Sequence, residues 1–258
     1  MTSPPIAVSG LVKRFGTGDK QVSAVDDITF EVSTGSTTAL LGANGAGKTT
    51  TISMLLGLLT PSAGIVRVLG QDMGRDPGPV LARINLSSPY VELPRRLSVR
   101  ENLTVYGHLY GLTDLKRRLA DLIDLLDLAD FQDRAFGTLS AGQKTRVAMA
   151  KALLNDPEVL LLDEPTASLD PDTADWMRGF LETWRAETGA TVLLASHNMA
   201  EVERLCDRVI MMRRGRIVDD GTPASLIRAY GRRNLEEVFL AIARDEKRPE
   251  TPGPAGGE

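Results

Sequence analysis

Short apolar runs separated by polar, helix-prone stretches recur along most of the chain. Residues 6–12 and 28–32 read as two early strands, 38–41 as a short buried strand, and 65–69 and 83–87 as two more. A helix follows the third strand over 49–56. Dense apolar runs return at 159–162, 191–195 and 209–212. Such runs alternating with helices predict an α/β fold built on a largely parallel sheet.

Between Pro89 and Pro157 the strand signals stop. Ser98 and Glu101 form a Ser-x-x-Glu capping box at the head of a helix over 98–110. Residues 114–126 place Leu115, Leu119, Leu122, Ile123 and Leu126 on one helical face. A third helix follows Ser140. This stretch, about 89–157, therefore reads as a helical insertion within a sheet domain. Another helix is expected behind Asp170, with Pro171 in its first turn and an apolar stripe of Met177, Phe180, Leu181 and Trp184. The expected division is one domain over 1–230, a C-terminal helix over 231–243 capped from Asn234, and a disordered tail over 244–258, where charges mix with proline and glycine. No internal repeat is evident.

Composition narrows the functional classes. The formal charge of −4 lacks the basic footprint of a general nucleic-acid binder, so no nucleic acid is expected as a partner. The single cysteine, Cys206, allows no internal disulfide and suits a reducing compartment; it reads as a small apolar residue in a helix. The start, Met-Thr-Ser-Pro-Pro, is not that of a signal peptide. No run approaches the roughly 20 apolar residues that cross a bilayer, so any membrane role requires a partner.

Three motifs carry chemistry. Gly42-Ala-Asn44-Gly45-Ala-Gly47-Lys48-Thr49 follows an apolar strand and opens a helix, the context a phosphate-binding loop requires. Backbone N–H groups freed by the glycines can curl around phosphate oxygens, and the helix N-terminus adds partial positive charge. Lys48 then reaches the β- and γ-phosphates, the Thr49 hydroxyl can ligate Mg²⁺, and Thr50 is placed at the α-phosphate. Val159-Leu-Leu-Leu-Asp163-Glu164 is a buried strand ending in two carboxylates. Asp163 is suited to hold Mg²⁺ through water, and Glu164 to act as general base on the water attacking the γ-phosphate. Leu139-Ser140-Ala141-Gly142-Gln143 contains a second capping box, Ser140 to Gln143, whose helix offers free N–H groups to an anion.

In this order the motifs resemble those of the ABC nucleotide-binding domain, with Ala141 where that family more usually has glycine. The resemblance spans about residues 5–230. It implies a P-loop NTPase fold with a RecA-like, mostly parallel sheet core, an N-terminal antiparallel β part and an inserted α-helical subdomain. It also implies further roles. Phe15 matches the aromatic that stacks on adenine, and Ser168-Leu169-Asp170 matches the loop that crosses the dimer interface. His197, in Ser196-His197-Asn198, matches the switch histidine at the γ-phosphate. His108 is assigned no role. The implied assembly is a head-to-tail dimer in which the phosphate loop of one copy and the Ser140 loop of the other sandwich each ATP. The motion passes to membrane helices of a separate multi-span permease docked near Pro89 and the insertion, at the cytoplasmic face of the membrane.

One departure stands out. The family usually places a glutamine after the strand at 83–87, but this chain has only Gln21, Gln71, Gln132 and Gln143. The slot falls at Pro89, between Ser88 and Tyr90. Proline cannot ligate Mg²⁺ through its side chain, so Ser88 or water substitutes, or the contact is absent. The segments from Cys206 to Val218, Gly221-Thr-Pro223 and Leu235-Glu-Glu-Val-Phe239 resemble exporter subunits for drugs, antibiotics or polysaccharides. A soluble, non-transport ABC ATPase is the alternative reading. The segment from Lys48 to Ser140 is too short for the long coiled coil of a DNA-repair relative.

Overall fold

The apolar runs ending at Leu41, Leu162 and Ala195 become β3 (Thr37–Leu41), β7 (Val159–Asp163) and β8 (Thr191–Ser196) in the computed structural model. It describes residues 3–88, 92–167 and 169–244. Every residue of these three strands is buried. Successive side chains point to opposite faces of a strand, so each strand feeds two cores. Ala39, Leu41, Leu160, Leu162, Val192 and Leu194 pack on one face. Leu40, Leu161, Leu193 and Ala195 pack on the other. Unbroken apolar runs are what a sheet covered on both faces requires.

With β6 (Ile84–Ser87), β9 (Arg208–Arg213) and β10 (Arg216–Gly221) they form a six-stranded sheet in the order β10-β9-β3-β8-β7-β6. Pairing is parallel except between β9 and β10. An antiparallel sheet of β1 (Ile6–Phe15), β2 (Val22–Val32), β4 (Ala63–Val68) and β5 (Gln71–Asp72) has the order β2-β1-β4-β5. Ile6, Val8, Ile28, Phe30, Val66 and Val68 from this sheet share the second core with Met54 and Leu55 of α1 (Lys48–Leu55).

The insertion carries α3 (Val99–Leu109), α4 (Leu115–Leu125) and α5 (Ala141–Leu153). Both expected capping boxes form. Glu101 N–H donates to Ser98 Oγ at 3.2 Å, and Ser98 N–H to Glu101 Oε2 at 2.7 Å. Gln143 N–H donates to Ser140 Oγ at 3.2 Å, and Ser140 N–H to Gln143 Oε1 at 3.1 Å. Leu119, Leu122, Ile123 and Leu126 are buried as the α4 stripe predicts. Arg118 on α4 donates to the carbonyls of Leu153 and Leu154 and pairs with Asp156 at 2.6 Å, closing the C-terminal end of α5. A polar junction ties the insertion to β6: Asn85 Nδ2 donates to Asn155 Oδ1 at 2.7 Å, and Lys151 Nζ donates to Asn85 Oδ1 at 3.0 Å beneath the rings of Tyr106 and Tyr110.

The remaining helices are α2 (Gly78–Leu81), α6 (Pro171–Thr188), α7 (Met199–Leu205), α8 (Pro223–Ala229) and α9 (Leu235–Ala243). The cap on α6 is Asp170, as expected, and that on α9 is Asn234. No helix among the described residues is long and apolar enough to cross a membrane.

Several elements differ from the sequence reading. β2 starts at Val22 rather than at residue 28, because its first half buries only Val25 fully and carries Ser23, Asp26 and Asp27. β10 is an edge strand of alternating exposure with two aspartates, so it shows no apolar run. α8 buries only Leu226 fully and has no stripe. Cys206 is not within a helix: it follows α7 in extended conformation, where burial pushes its thiol well above the ordinary range. Pro89, Tyr90, Ser168 and residues 245–258, with the tail's expected disorder, lie outside the described residues.

The closure of α5 by Arg118 has a measurable consequence. Arg118→Ala should cost about 1–2 kcal/mol in urea unfolding, the scale of lost hydrogen bonds to partly buried carbonyls, with an unchanged slope. A midpoint equal to that of the unsubstituted chain would show that the α4–α5 contact is held by packing alone.

Candidate functional site

The sheet's register assembles the site. β3 pairs with β8 so that Leu41 faces Ser196, and β8 pairs with β7 so that Ala195 faces Asp163. The residues that follow, Gly42, His197 and Glu164, therefore emerge at one edge of three adjacent parallel strands. The carboxyl ends of such strands are where α/β sheets place ligands.

Gly42 to Lys48 forms a loop that turns into α1. Gly47 has φ 106°, and a Cβ there would lie 2.6 Å from the Ala24 carbonyl oxygen, so only glycine fits without displacement. The first α1 bond runs from Thr51 N–H to Gly47 O at 2.9 Å. The N–H groups of Lys48, Thr49 and Thr50 thus lie ahead of the helical ladder, the arrangement that binds anions. Lys48 is buried and donates from Nζ to Gly42 O at 2.7 Å. Burial lowers its pKa, while the charges of Glu164 and Asp163 pull it back up.

The two carboxylates differ in setting. Asp163 Oδ2 accepts from Thr49 Oγ1 at 3.4 Å. Its pKa is raised by burial first and by the charge of Glu164 second, against Thr49 and Lys48. Glu164 has φ 53°, a left-handed conformation costing of order 1 kcal/mol or more for a non-glycine residue. Its N–H donates to Ala195 O at 2.8 Å, which pins this turn to β8. Oε1 lies 3.9 Å from Lys48 Nζ. Oε2 accepts from His197 N–H at 3.3 Å and lies 2.7 Å from His197 Nδ1. The imidazole is otherwise exposed, which leaves Nε2 free to face a ligand.

Asn44, Gly45, Gly47, Lys48, Thr49, Thr50, Asp163 and Glu164 line a cleft of about 160 Å³. Ser140, Gly142 and Gln143 do not line it; Ser140 and Ala141 are exposed at the head of α5. An exposed Ala141 fits a position where the family more usually has glycine. Gly142 has no such latitude: a Cβ there would sit 3.0 Å from both Thr173 Cγ2 and Thr173 Oγ1, at the start of α6. Phe15 also stands outside the cleft, 44% exposed, with Lys13 Nζ 5.2 Å from its ring centroid. Ser88 is buried beside Leu86, Leu93 and Lys151, away from the cleft. A larger cavity of about 670 Å³ lies elsewhere, beside Trp184 and the mutually paired Arg83 and Glu158.

Sequence reasoning overlooked supporting residues. Gly215 N–H donates to Ala46 O at 3.1 Å and backs the phosphate loop from the β9–β10 turn. Asn198 Oδ1 accepts from Glu201 N–H at 3.2 Å and caps α7 directly after His197. The Asn-x-x-Glu spacing is the available signal for this cap. Arg146 stacks over Trp176 at 3.8 Å and pairs with Asp127 at 2.8 Å, joining α5 to α6. No sequence spacing announces that contact.

A glycine loop opening a helix, with an aspartate and a glutamate ending a strand of the same sheet, defines a P-loop nucleoside triphosphatase. The profile of the ABC transporter family matches residues 25–167. The chain is 36% identical over 239 residues to the ABC transporter ATP-binding protein NatA of Bacillus subtilis, covering 92% of this chain and 97% of that protein. It is 39% identical over 251 residues to the Nod factor export ATP-binding protein I of Burkholderia orbicola, covering 95% and 81%. The solved structure of an ATP-binding subunit of an ABC transporter superposes with a TM-score of 0.81 at 29% identity, covering 92% of this chain and 99% of that one. The chain belongs to the ABC transporter family, as an ATP-binding subunit that hydrolyses ATP.

The Gly142 contact yields a prediction about the α5–α6 junction. Thr173 is held by its N–H and Oγ1 to Asp170, at 3.0 and 2.7 Å, so it cannot yield readily. Gly142→Ala should therefore destabilise the nucleotide-free chain by about 1–2 kcal/mol, the usual scale of overpacking. In a Thr173→Ala background the same change should become neutral or stabilising, because alanine is the better helix former. Equal losses in both backgrounds would refute the contact.

Proposed function

We propose that the chain is the motor subunit of an exporter, with two copies closing head to tail over two ATP molecules. The observation that carries this reading is the split of the anion-binding machinery. One phosphate-facing helix start, with Lys48 and both carboxylates, lines the cleft; the other, capped by Ser140, is exposed and outside it. A second copy in head-to-tail orientation brings a Ser140 loop to each cleft.

In this reading Gly42, Asn44, Gly45 and Gly47 shape the loop, Lys48 neutralises the β- and γ-phosphates, and Thr50 contacts the α-phosphate. Ser140, Gly142 and Gln143 of the second copy bind the γ-phosphate from the other side. The half-exposed Phe15 ring stacks on adenine. Thr49 and Asp163 bring two hard oxygen donors together, a set that fits Mg²⁺ completed by phosphate oxygens and water. That ion would neutralise charge on the phosphates. Ser88 is buried and does not line the cleft, which favours water over a serine ligand in place of the missing glutamine. Glu164 takes a proton from the attacking water as its oxygen bonds to the γ-phosphorus and the bond to the β–γ bridging oxygen breaks. His197 holds Glu164 through Nδ1 and faces the γ-phosphate through Nε2. Loss of that phosphate removes the contact between the copies, and the dimer opens.

The transport path belongs to a separate multi-span permease, to which this chain docks at the cytoplasmic face of the membrane. The exposed apolar residues Val105 and Leu109 on α3 support docking at the insertion. The similarity to a protein named for Nod factor export supports the outward direction.

Two substitutions test the reading. Lys48→Ala should abolish most ATP binding and turnover, since it removes the buried charge at the phosphates; wild-type ATPase rates would rule out the loop assignment. Glu164→Gln should bind ATP·Mg²⁺, lose turnover by about 10²-fold or more, the range of a lost general base, and elute as a dimer. A nucleotide-bound monomer on size exclusion would count against the clamp.

A further inference from the structure

Glu201 belongs to none of the phosphate-binding motifs, yet it is wholly buried. It lies on the first turn of α7, four residues beyond His197. Its Oε2 accepts from Ser196 Oγ at 2.6 Å. Ser196 Oγ in turn accepts from Asn198 N–H at 3.0 Å, and Asn198 Oδ1 accepts from Glu201 N–H. These three bonds close a ring around the turn that carries His197.

The same carboxyl looks toward the neighbouring strand end. Thr166, two residues beyond Glu164, stands beside it and its hydroxyl favours the charged carboxylate, while Oε1 has no partner of full hydrogen-bond geometry among the described residues. Glu201 thus sits between the two turns that present Glu164 and His197. Capping α7 needs only Asn198, and a buried carboxyl with an unpaired oxygen costs folding free energy. An apolar side chain of similar volume would serve the core better, so packing alone does not account for the carboxyl. Burial raises its pKa, against the hydroxyls of Ser196 and Thr166. The contact with Ser196 requires a hydrogen-bond acceptor and not a charge.

We propose that Glu201 is a positioning residue for ATP hydrolysis: its carboxyl locks the 196–198 turn so that His197 bears on Glu164. This rests on the roles given above to Glu164 and His197. Released from Ser196, the turn no longer holds the imidazole 2.7 Å from the Glu164 carboxylate. ATP affinity changes little, because the phosphate loop on β3 and α1 carries most of the binding.

The test is a set of double-mutant cycles on the full chain. Glu201→Leu, Glu201→Gln and Ser196→Ala are each made alone and combined with His197→Ala. Residual turnover is measured under single-turnover conditions and ATP affinity by fluorescent nucleotide. Glu201→Leu and Ser196→Ala should each slow hydrolysis by about tenfold, a typical cost of misplacing a catalytic group, and leave affinity within about twofold. Glu201→Gln, which keeps the acceptor, should retain most activity. In the His197→Ala background neither Glu201→Leu nor Ser196→Ala should add more than about twofold. Equal losses with and without His197, a loss residing in affinity, or a glutamine variant as impaired as the leucine one would overturn the proposal. If Glu201→Leu does not fold, Ser196→Ala and Glu201→Gln decide it by the same cycle. Impaired His197→Ala and Glu164→Gln beside unimpaired variants at 196 and 201 would sink this inference alone. Unimpaired His197→Ala and Glu164→Gln would sink the underlying reading and this inference with it.

Discussion

The parallel pairing of β3, β8 and β7 is the constraint on which the rest depends. Strands buried on both faces cannot slip in register without moving apolar side chains out of two cores at once. Leu41 is thereby held opposite Ser196, and Ala195 opposite Asp163. The glycine loop, the two carboxylates and the histidine are distant in sequence, but the loop, Glu164 and His197 each begin directly past a strand end and Asp163 is the last residue of β7. Their mutual distances are set by the sheet, and the loops need only turn in the right direction.

That edge also concentrates charge. Lys48, Asp163 and Glu164 are all buried within one small cleft, and burial shifts Lys48 down and Asp163 up. Lys48 and Asp163 are thus each held where burial disfavours their own charge, compensated only in part by the charges around them. Glu164 adds a strained backbone that is tied down by Ala195. Such strain and desolvation persist where the surrounding structure over-determines them, and they accord with a site prepared for the charge of ATP. The insertion shares the first core with the sheet and is tied to it further by the polar junction at Asn85 and the Arg146–Trp176 stack.

What was legible in the sequence was whatever depends on local order. The phosphate loop, the Asp163-Glu164 strand end and both capping boxes are read from contiguous residues, and each forms as expected. The six-stranded sheet was legible through its apolar runs, but β10 and the first half of β2 were not, because their polar side chains face solvent. The α7 cap was missed although Asn198 and Glu201 have capping spacing. Glu201 acquires meaning only once the turn folds Ser196 onto it and the neighbouring strand end brings Thr166 beside it. The Ser140 motif was readable as a helix cap, whereas its separation from the phosphate cleft is a fact of three dimensions.

That separation is the centre of the account, since in the proposed head-to-tail dimer it makes each chain half a site. Mixing two inactive variants tests it most directly. Lys48→Ala disables the phosphate loop. Ser140→Asp keeps a good helix cap but sets a negative charge where the γ-phosphate of the opposing copy is to bind. In a head-to-tail heterodimer of the two, both lesions fall in one site and the other site is intact. The account predicts that mixing restores a substantial part of the ATPase activity that neither variant has alone. If mixed dimers form, as detected by differently tagged chains, and activity stays at the level of the separate variants, the site is not shared between copies and the account is wrong.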